Sequence, residues 1–272
     1  MRLLSEEING LDPGVLPRIF KKPGSHPTSQ FILTIYPLPD DRSEYTVAPA
    51  SRRVFELLWD KHFRSRLDDM EYFYDLFQGS TVTSASAAAG WIFELRMHEL
   101  LLGKRRLQLF PIRCADVGKV NLIYSNYTAT KERKGQVEFE LKKLRKSPFE
   151  TILQANHYYC FDSCNFPTVD SLLLIYPPGE ASPILLMSKI ISSWSRHDVE
   201  VGGLHEVDGL QLPSNVRKYY VVVTPKGIQP TITVPVEYFP RTKRGEVVGS
   251  PDVVLPVFHF PVPRRKLFPS RG

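Results

Sequence analysis

The sequence predicts an α/β fold, and three observations carry that prediction. Up to Leu102 the apolar residues recur at helical spacing. Beyond Gly103 the grammar changes to short runs rich in valine, isoleucine, leucine and tyrosine. Between two of those later runs, a glycine pair opens one more short helical pattern. At 272 residues, with 42% hydrophobic and 24% charged residues, the chain can bury a substantial core and is not disordered by composition.

Residues 1–48 are rich in Pro, Gly and Ser around one strand-like run, Gln30 to Tyr36, and read as an irregular leader with local order. From Ser51 to Gln78, Val54, Leu57, Leu58, Phe63, Leu67, Met70, Phe73, Tyr74 and Phe77 follow helical periodicity, as one long helix or as two with a break near Arg66. Gly79 to Ser86 reads as a polar connection. A helix from about Ala87 to Leu102 follows, stopped by Gly103. The predicted strands are Leu107 to Cys114, Val120 to Tyr127, Val137 to Leu144, Val169 to Tyr176, Ile184 to Ser192 and Tyr219 to Thr224. Val120 to Tyr127 and Val137 to Leu144 flank a charged turn ending at Gly135 and are expected to pair as a central antiparallel hairpin. A short helix is expected between Asp198 and Leu212. Val221-Val222-Val223 has the continuous apolar character of a strand covered on both faces. Pro225, Pro230, Pro235 and Pro240 make the following segment short and extended.

Three cysteines, Cys114, Cys160 and Cys164, are too few for a disulfide framework and favour a reducing compartment. The N-terminus lacks the apolar region of a secretory signal, and no apolar run approaches the ~20 residues of a membrane span. The expectation is therefore an intracellular protein, cytoplasmic or nuclear, without a membrane partner; export by an unconventional route stays open. The net charge of +6 is unevenly spread. Lys131 to Lys146 holds seven basic and three acidic residues, and Arg241 to Gly272 holds seven basic and two acidic, leaving the remainder mildly acidic. Clusters of this kind can neutralise phosphates and release counterions; the alternative is a solvated strand edge and a basic tail.

Charges set into apolar strands need a partner or a task. Asp170 stands at the mouth of the strand Leu172 to Tyr176, and Lys189 is the single charge in the strand Ile184 to Ile191. A carboxylate and a lysine on adjacent strands form the nucleus of a metal-dependent nuclease site; a strand-initial Asp is also an ordinary turn residue. Glu94 and His98, four residues apart on a helix, share a face and form either a surface pair or part of a cation site. His197, in Ser195-Arg196-His197-Asp198, suits a phosphate contact or a helix-capping arrangement equally. His157, Cys160 and Cys164 have no second knuckle, so buried thiols are expected there in preference to zinc. No nucleotide-binding P-loop and no Gly-x-Ser-x-Gly elbow is present.

Taken in order, Gly90-x-x-Phe93-Glu94-x-x-x-His98, Asn165-x-Pro167-x-x-Asp170-Ser171, His197 with Gly203-Leu204, and Tyr219-Tyr220-Val-Val-Val-Thr-Pro resemble one family. The stretch from about Phe73 to Phe239 is similar to the nuclease-like domain of Crinkler-type and retrotransposon-hot-spot-type proteins, within the PD-(D/E)XK superfamily, and the motif order is most like that of fungal members. The resemblance implies a restriction-endonuclease-like αβββαβ core, a mixed sheet flanked by helices. It implies an irregular leader over 1–50 and a nuclease-like domain over 51–240, with a helical lead-in at 51–80 and a core at 84–225. A basic, Pro-rich tail at 241–272 completes the expectation. Family members are often fused to an ATPase, which this chain lacks, so it would be a stand-alone or truncated form. The resemblance makes Asp170 the principal ligand of Mg²⁺ or Mn²⁺, Glu94 the helix carboxylate, and His197 the following motif histidine.

The chain departs from that pattern at one point. If His197 and Asp198 set the register, Lys189-Ile190-Ile191 stands where the family has Gln-x-Thr; in the rival register Lys189 is the motif lysine and Met187 replaces the acid. In both, the second carboxylate or amide is missing, so the site reads as degenerate. Two functions follow as expectations. One is a divalent-metal-dependent phosphodiesterase acting on DNA or RNA. In it Asp170 and Glu94 hold the metal and Lys189 stabilises charge, while Lys142, Lys143, Arg145, Lys146, Arg196 and His197 contact nucleic acid. The other is a non-catalytic nuclease-fold effector that binds nucleic acid or a protein partner.

Overall fold

The structure, a computed structural model, describes residues 2–38, 44–63, 66–102, 105–116, 124–129, 137–141, 145–147, 153–155, 157–160, 168–177, 181–193, 197–246, 248–249 and 251–269. It is a mixed α/β protein that divides into two compact units, residues 1–95 with 265–272, and residues 96–264.

In the first unit, helices α1 (Arg2–Gly10), α2 (Leu16–Lys21) and α3 (Ser29–Ile32) precede an antiparallel ribbon of strands β1 (Leu33–Pro37) and β2 (Tyr45–Pro49). Helix α4 (Arg52–Leu58) runs into a π-helical turn at Trp59–Phe63, and α5 (Leu67–Gln78) and α6 (Thr83–Leu102) follow. Ser51 caps α4 by accepting the Val54 amide at 3.2 Å. Of the two arrangements left open for Ser51 to Gln78, the one with a break near Arg66 is present, Arg66 being the N-cap of α5. The leader is not irregular: Ile8, Leu16, Ile19 and Phe20 are buried. Phe20 packs on Phe73 at a ring separation of 4.5 Å and on Phe77 at 5.8 Å. Some of the Pro and Gly residues that suggested a loop bound short helices here: Pro13 and Pro17 stand in first turns, and Gly10 ends α1. The first half of the run Gln30 to Tyr36 is likewise the end of α3, and α6 begins at Thr83, inside the expected polar connection.

The second unit is built on a mixed sheet. Its strands are β3 (Arg105–Asp116), β4 (Tyr124–Ala129), β5 (Val137–Leu141), β6 (Arg145–Ser147), β7 (His157–Cys160), β8 (Ser171–Ile175), β9 (Ile184–Ile190), β10 (His197–Asp198), β11 (Arg217–Pro225), β12 (Thr231–Pro235) and β13 (Val257–Val262). Among the described residues the order is β10-β12-β4-β3-β13-β11-β9-β8-β7-β6, with β5 also paired to β3. Helix α7 (Val201–Asp208) connects the β9–β10 region to β11, and β11 runs parallel to both β9 and β13. Two short helices, α8 (Pro251–Val254) and α9 (Arg264–Leu267), flank β13. The core unites Leu172 and Leu174 of β8, Leu185 and Met187 of β9, Tyr220 and Val222 of β11, and Leu204 and Val207 of α7. Alternation along the strands fixes which face they share.

Two expectations are corrected. β4 and β5 do not pair as a hairpin: both lie antiparallel to β3, and β4 also pairs with β12. The extra length of β3 provides ladder partners for both, which local turn signals could not reveal. The C-terminal segment is not merely a basic tail. β13 inserts between β11 and β3 with Val257, Phe258, Phe260 and Val262 buried; its prolines Pro256 and Pro263 bracket the strand, and Pro261 is its only interior one. No helix among the described residues is long and apolar enough to cross a membrane.

Candidate functional site

Asp170 immediately precedes β8, and its amide donates to the Ser188 carbonyl at 2.8 Å, extending the β8–β9 ladder by one residue. That places Asp170 opposite Lys189. Lys189 Nζ lies 2.8 Å from Asp170 Oδ1, and the Ile190 amide donates to Oδ2 at 2.6 Å. The side chains of the pair are 18% and 16% exposed, at the end of a strand pair in which Ser171–Ile175 and Ile184–Ser188 are buried. The carboxylate therefore has charge-assisted partners on both oxygens.

Beside this pair Tyr220 rises from β11. Its fully buried hydroxyl donates to the Thr168 carbonyl at 2.7 Å and stands 3.4 Å from His197 Nε2. With the hydroxyl proton committed to Thr168, a bond to His197 requires the tautomer that carries hydrogen on Nε2. Burial, followed by the Asp170 charge, pushes the Tyr220 phenol well above its ordinary pKa. His197 opens β10. Burial and then the Lys189 ammonium lower its pKa to about 4, against an opposing pull from Asp198, so the ring is neutral at pH 7.

Thr168 also fastens the helix that covers this face. Its hydroxyl donates to the Glu200 carbonyl at 2.8 Å, just before α7. Gly203 of α7 passes so close that an added Cβ would stand 2.1 Å from Thr168 Oγ1. At the far end of α7, the Lys218 ammonium and the Tyr238 hydroxyl both reach Asp208, the latter at 3.2 Å.

The other expected site residues have separate partners. Glu94 belongs to the first unit, where it accepts from Arg52 Nη2 at 2.7 Å. Burial works against the Arg52 charge, yet Glu94 and Glu56 hold its pKa above the ordinary value. His98 is buried, with Nδ1 2.6 Å from the Tyr158 hydroxyl of β7. Its described partner thus lies on another element than that of Glu94, despite the helical spacing. Arg145 and Lys146 lie on β6, in register with His157 and Tyr158. Lys142, Lys143 and Arg196 lie outside the described residues, as does Cys164. Cys160 is buried on β7, and His157 Nδ1 stands 3.0 Å from the Ala155 carbonyl oxygen.

The donor set around Asp170 does not fit a resident Mg²⁺ or Mn²⁺. Among the described residues no group of three His, Cys, Asp or Glu could hold a metal ion. Among the described residues the Asp170 carboxylate is bridged by an ammonium and an amide, where a hard cation needs several oxygen ligands. Tyr220, Thr168 and Gly203 were not among the residues predicted for the site. The signal for Tyr220 is a phenol directly before the apolar run Val221–Val223 of β11, and for Gly203 a glycine pair opening a helix. Comparison of the chain with family models, with curated proteins and with solved structures gives no match.

Proposed function

We propose that this chain is a nuclease-like protein of the PD-(D/E)XK type that binds DNA or RNA, with its hydrolytic centre closed by an internal ion pair. The observation that carries the reading is the Asp170–Lys189 bridge, in which a lysine occupies the charge-compensating place a metal would take. The run α6, β7, β8, β9, α7, β11 supports the fold assignment. Its order is αβββαβ, with β7–β8–β9 antiparallel and β11 returning parallel to β9. In this reading β3 to β6 are an insertion, and the two-residue β10 between β9 and α7 is left out of the core order.

Each site residue then has a binding or architectural task. Asp170 neutralises Lys189 and fastens β8 to β9. Tyr220 ties Thr168 to the sheet, and the neutral His197 presents an uncharged edge beside the pair. Binding comes from the excess of basic residues, 35 against 29 acidic, through phosphate contacts.

Purified protein should bind labelled duplex DNA or single-stranded RNA with a steep salt dependence. It should cleave neither with Mg²⁺ or Mn²⁺ beyond the level of an Asp170→Ala control. Cleavage that Asp170→Ala abolishes would overturn the closed-centre reading. A second reading, a protein-interaction module, is favoured by exposed Phe31, Ile35 and Tyr45 on and beside the β1–β2 ribbon, each about half open to solvent. Failure to bind any nucleic acid at low salt would select it.

A further inference from the structure

Among the described residues, 240–246 and 248 form a basic-tipped hairpin. The Val248 amide donates to the Pro240 carbonyl at 2.7 Å and closes its base, and the Thr242 amide donates to the Glu246 carbonyl at 2.8 Å. The tip is a tight turn in which the Gly245 amide donates to the Thr242 carbonyl at 2.9 Å. Gly245 follows at φ +84°, the left-handed position that such a turn reserves for glycine. The Thr242 hydroxyl accepts from the Arg244 and Glu246 amides, each at 3.2 Å, so one side chain holds the turn from within.

Every residue from Pro240 to Glu246 is exposed. Arg241, Lys243 and Arg244 have no side-chain partner among the described residues, nor has Glu246. Three cations without a side-chain partner among the described residues thus stand on a hairpin held by its own hydrogen bonds, which lowers the entropy a ligand must meet to order the loop. Among the described residues of the hairpin, Val248 is the one large apolar side chain that is exposed.

The geometry points to this hairpin as a phosphate-contacting finger that grips the sugar–phosphate backbone of DNA or RNA. The assignment deepens the nucleic-acid-binding reading and rests on it. It also relocates part of the contact surface away from the basic segment at 131–146. Contacts of this type carry no base specificity, because they address phosphate oxygens alone. Glu246, at the edge of the patch, should weaken the grip slightly.

The test is fluorescence anisotropy with a 20-base-pair duplex and a single-stranded RNA across a KCl series. It compares the wild-type chain, R241A/K243A/R244A, and a charge-matched control, K226A/R265A/K266A. The hairpin variant should lose about tenfold or more in duplex affinity near 100 mM salt. The slope of log affinity against log salt should fall by about two to three, since each phosphate contact contributes about 0.9. The control should retain most of both, and Glu246→Gln should bind more tightly than wild type. Wild-type binding with equal losses in the hairpin variant and the control would overturn the finger alone. Absence of wild-type binding at 50 mM salt would overturn the nucleic-acid reading and the finger with it. Hairpin-dependent binding of poly-glutamate, without any of duplex or RNA, would overturn the finger in favour of an acidic protein partner.

Discussion

Lys189 stands directly across the β8–β9 ladder from Asp170, with its ammonium 2.8 Å from Oδ1 while the next amide along β9 holds Oδ2 at 2.6 Å. The same two oxygens cannot be both the anchor of this bridge and an open ligand set. The pair is also partly desolvated, so its members are energetically coupled rather than independent surface charges.

Removing one partner should therefore cost more than removing both. Asp170→Asn is expected to destabilise the chain by about 2–3 kcal/mol, because it leaves the Lys189 ammonium poorly compensated in a half-buried position. The double variant Asp170→Asn with Lys189→Met should recover about half of that loss. Urea unfolding of the two single variants and the double closes the cycle; strictly additive losses would show that the bridge contributes nothing.

A steric relation gives the next expectation. Gly203→Ala would place a methyl group 2.1 Å from Thr168 Oγ1 and 2.6 Å from its Cβ, with the hydroxyl already bound to the Glu200 carbonyl. The expected loss is about 2 kcal/mol or more, by overpacking. Thr168→Ala should relieve only part of it, because the Cβ contact remains. A Gly203→Ala protein as stable as wild type in thermal unfolding would mean that α7 sits farther from Thr168.

The C-terminal strand supplies a third. β13 lies between β11 and β3, with the Tyr220 amide donating to the Pro256 carbonyl at 3.0 Å and the Lys226 amide to the Val262 carbonyl at 2.8 Å. Its buried side chains Val257, Phe258, Phe260 and Val262 are each worth about 1.5–3 kcal/mol. Together they approach the entire stability of a typical domain. A chain ending at Leu255 should fail to unfold cooperatively by circular dichroism. A sharp transition near the wild-type temperature would contradict the central placement of this strand.

How far the sequence revealed these relations differs from residue to residue. Asp170 and Lys189 were legible because charge in an apolar strand is rare and demands a partner. The break at Arg66 and the helix α7 followed from periodicity. Tyr220 was hidden because a tyrosine directly before an apolar run reads as core, and nothing local tells where its hydroxyl points. β13 was hidden among basic and proline residues, and its partners lie far away in the sequence. The pairing of β4 with β12 is equally non-local, whereas the charged turn before β5 suggested a hairpin that does not form. Glu94 and His98 show the reverse failure. Their shared helical face was correctly seen, yet each had a stronger partner on another element, Arg52 for one and Tyr158 for the other.

Two histidines whose pKa values are lowered by the fold, His197 and His259, set a pH dependence whose sign can be worked out. His259 is buried on β13 with Nε2 2.8 Å from the Thr224 hydroxyl, and burial lowers its pKa to about 4. His197 is lowered to about 4 as well, by burial and then by the Lys189 charge. In the unfolded chain both titrate near the ordinary 6.5. Between those values the unfolded state binds more protons, so stability falls as pH is lowered through 6.5 toward 4 and is fully present above that window. The loss is at most about 3 kcal/mol for His259, and smaller for the more open His197, where solvent screens the charge. Urea midpoints measured from pH 7.5 to 4.5 should decline over this range for wild type. His259→Asn should flatten the decline at some cost in stability at pH 7, where the Thr224 bond is weakened. His197→Asn should flatten it less. A wild-type midpoint that stays constant down to pH 4.5 would show that neither ring is held neutral by the fold.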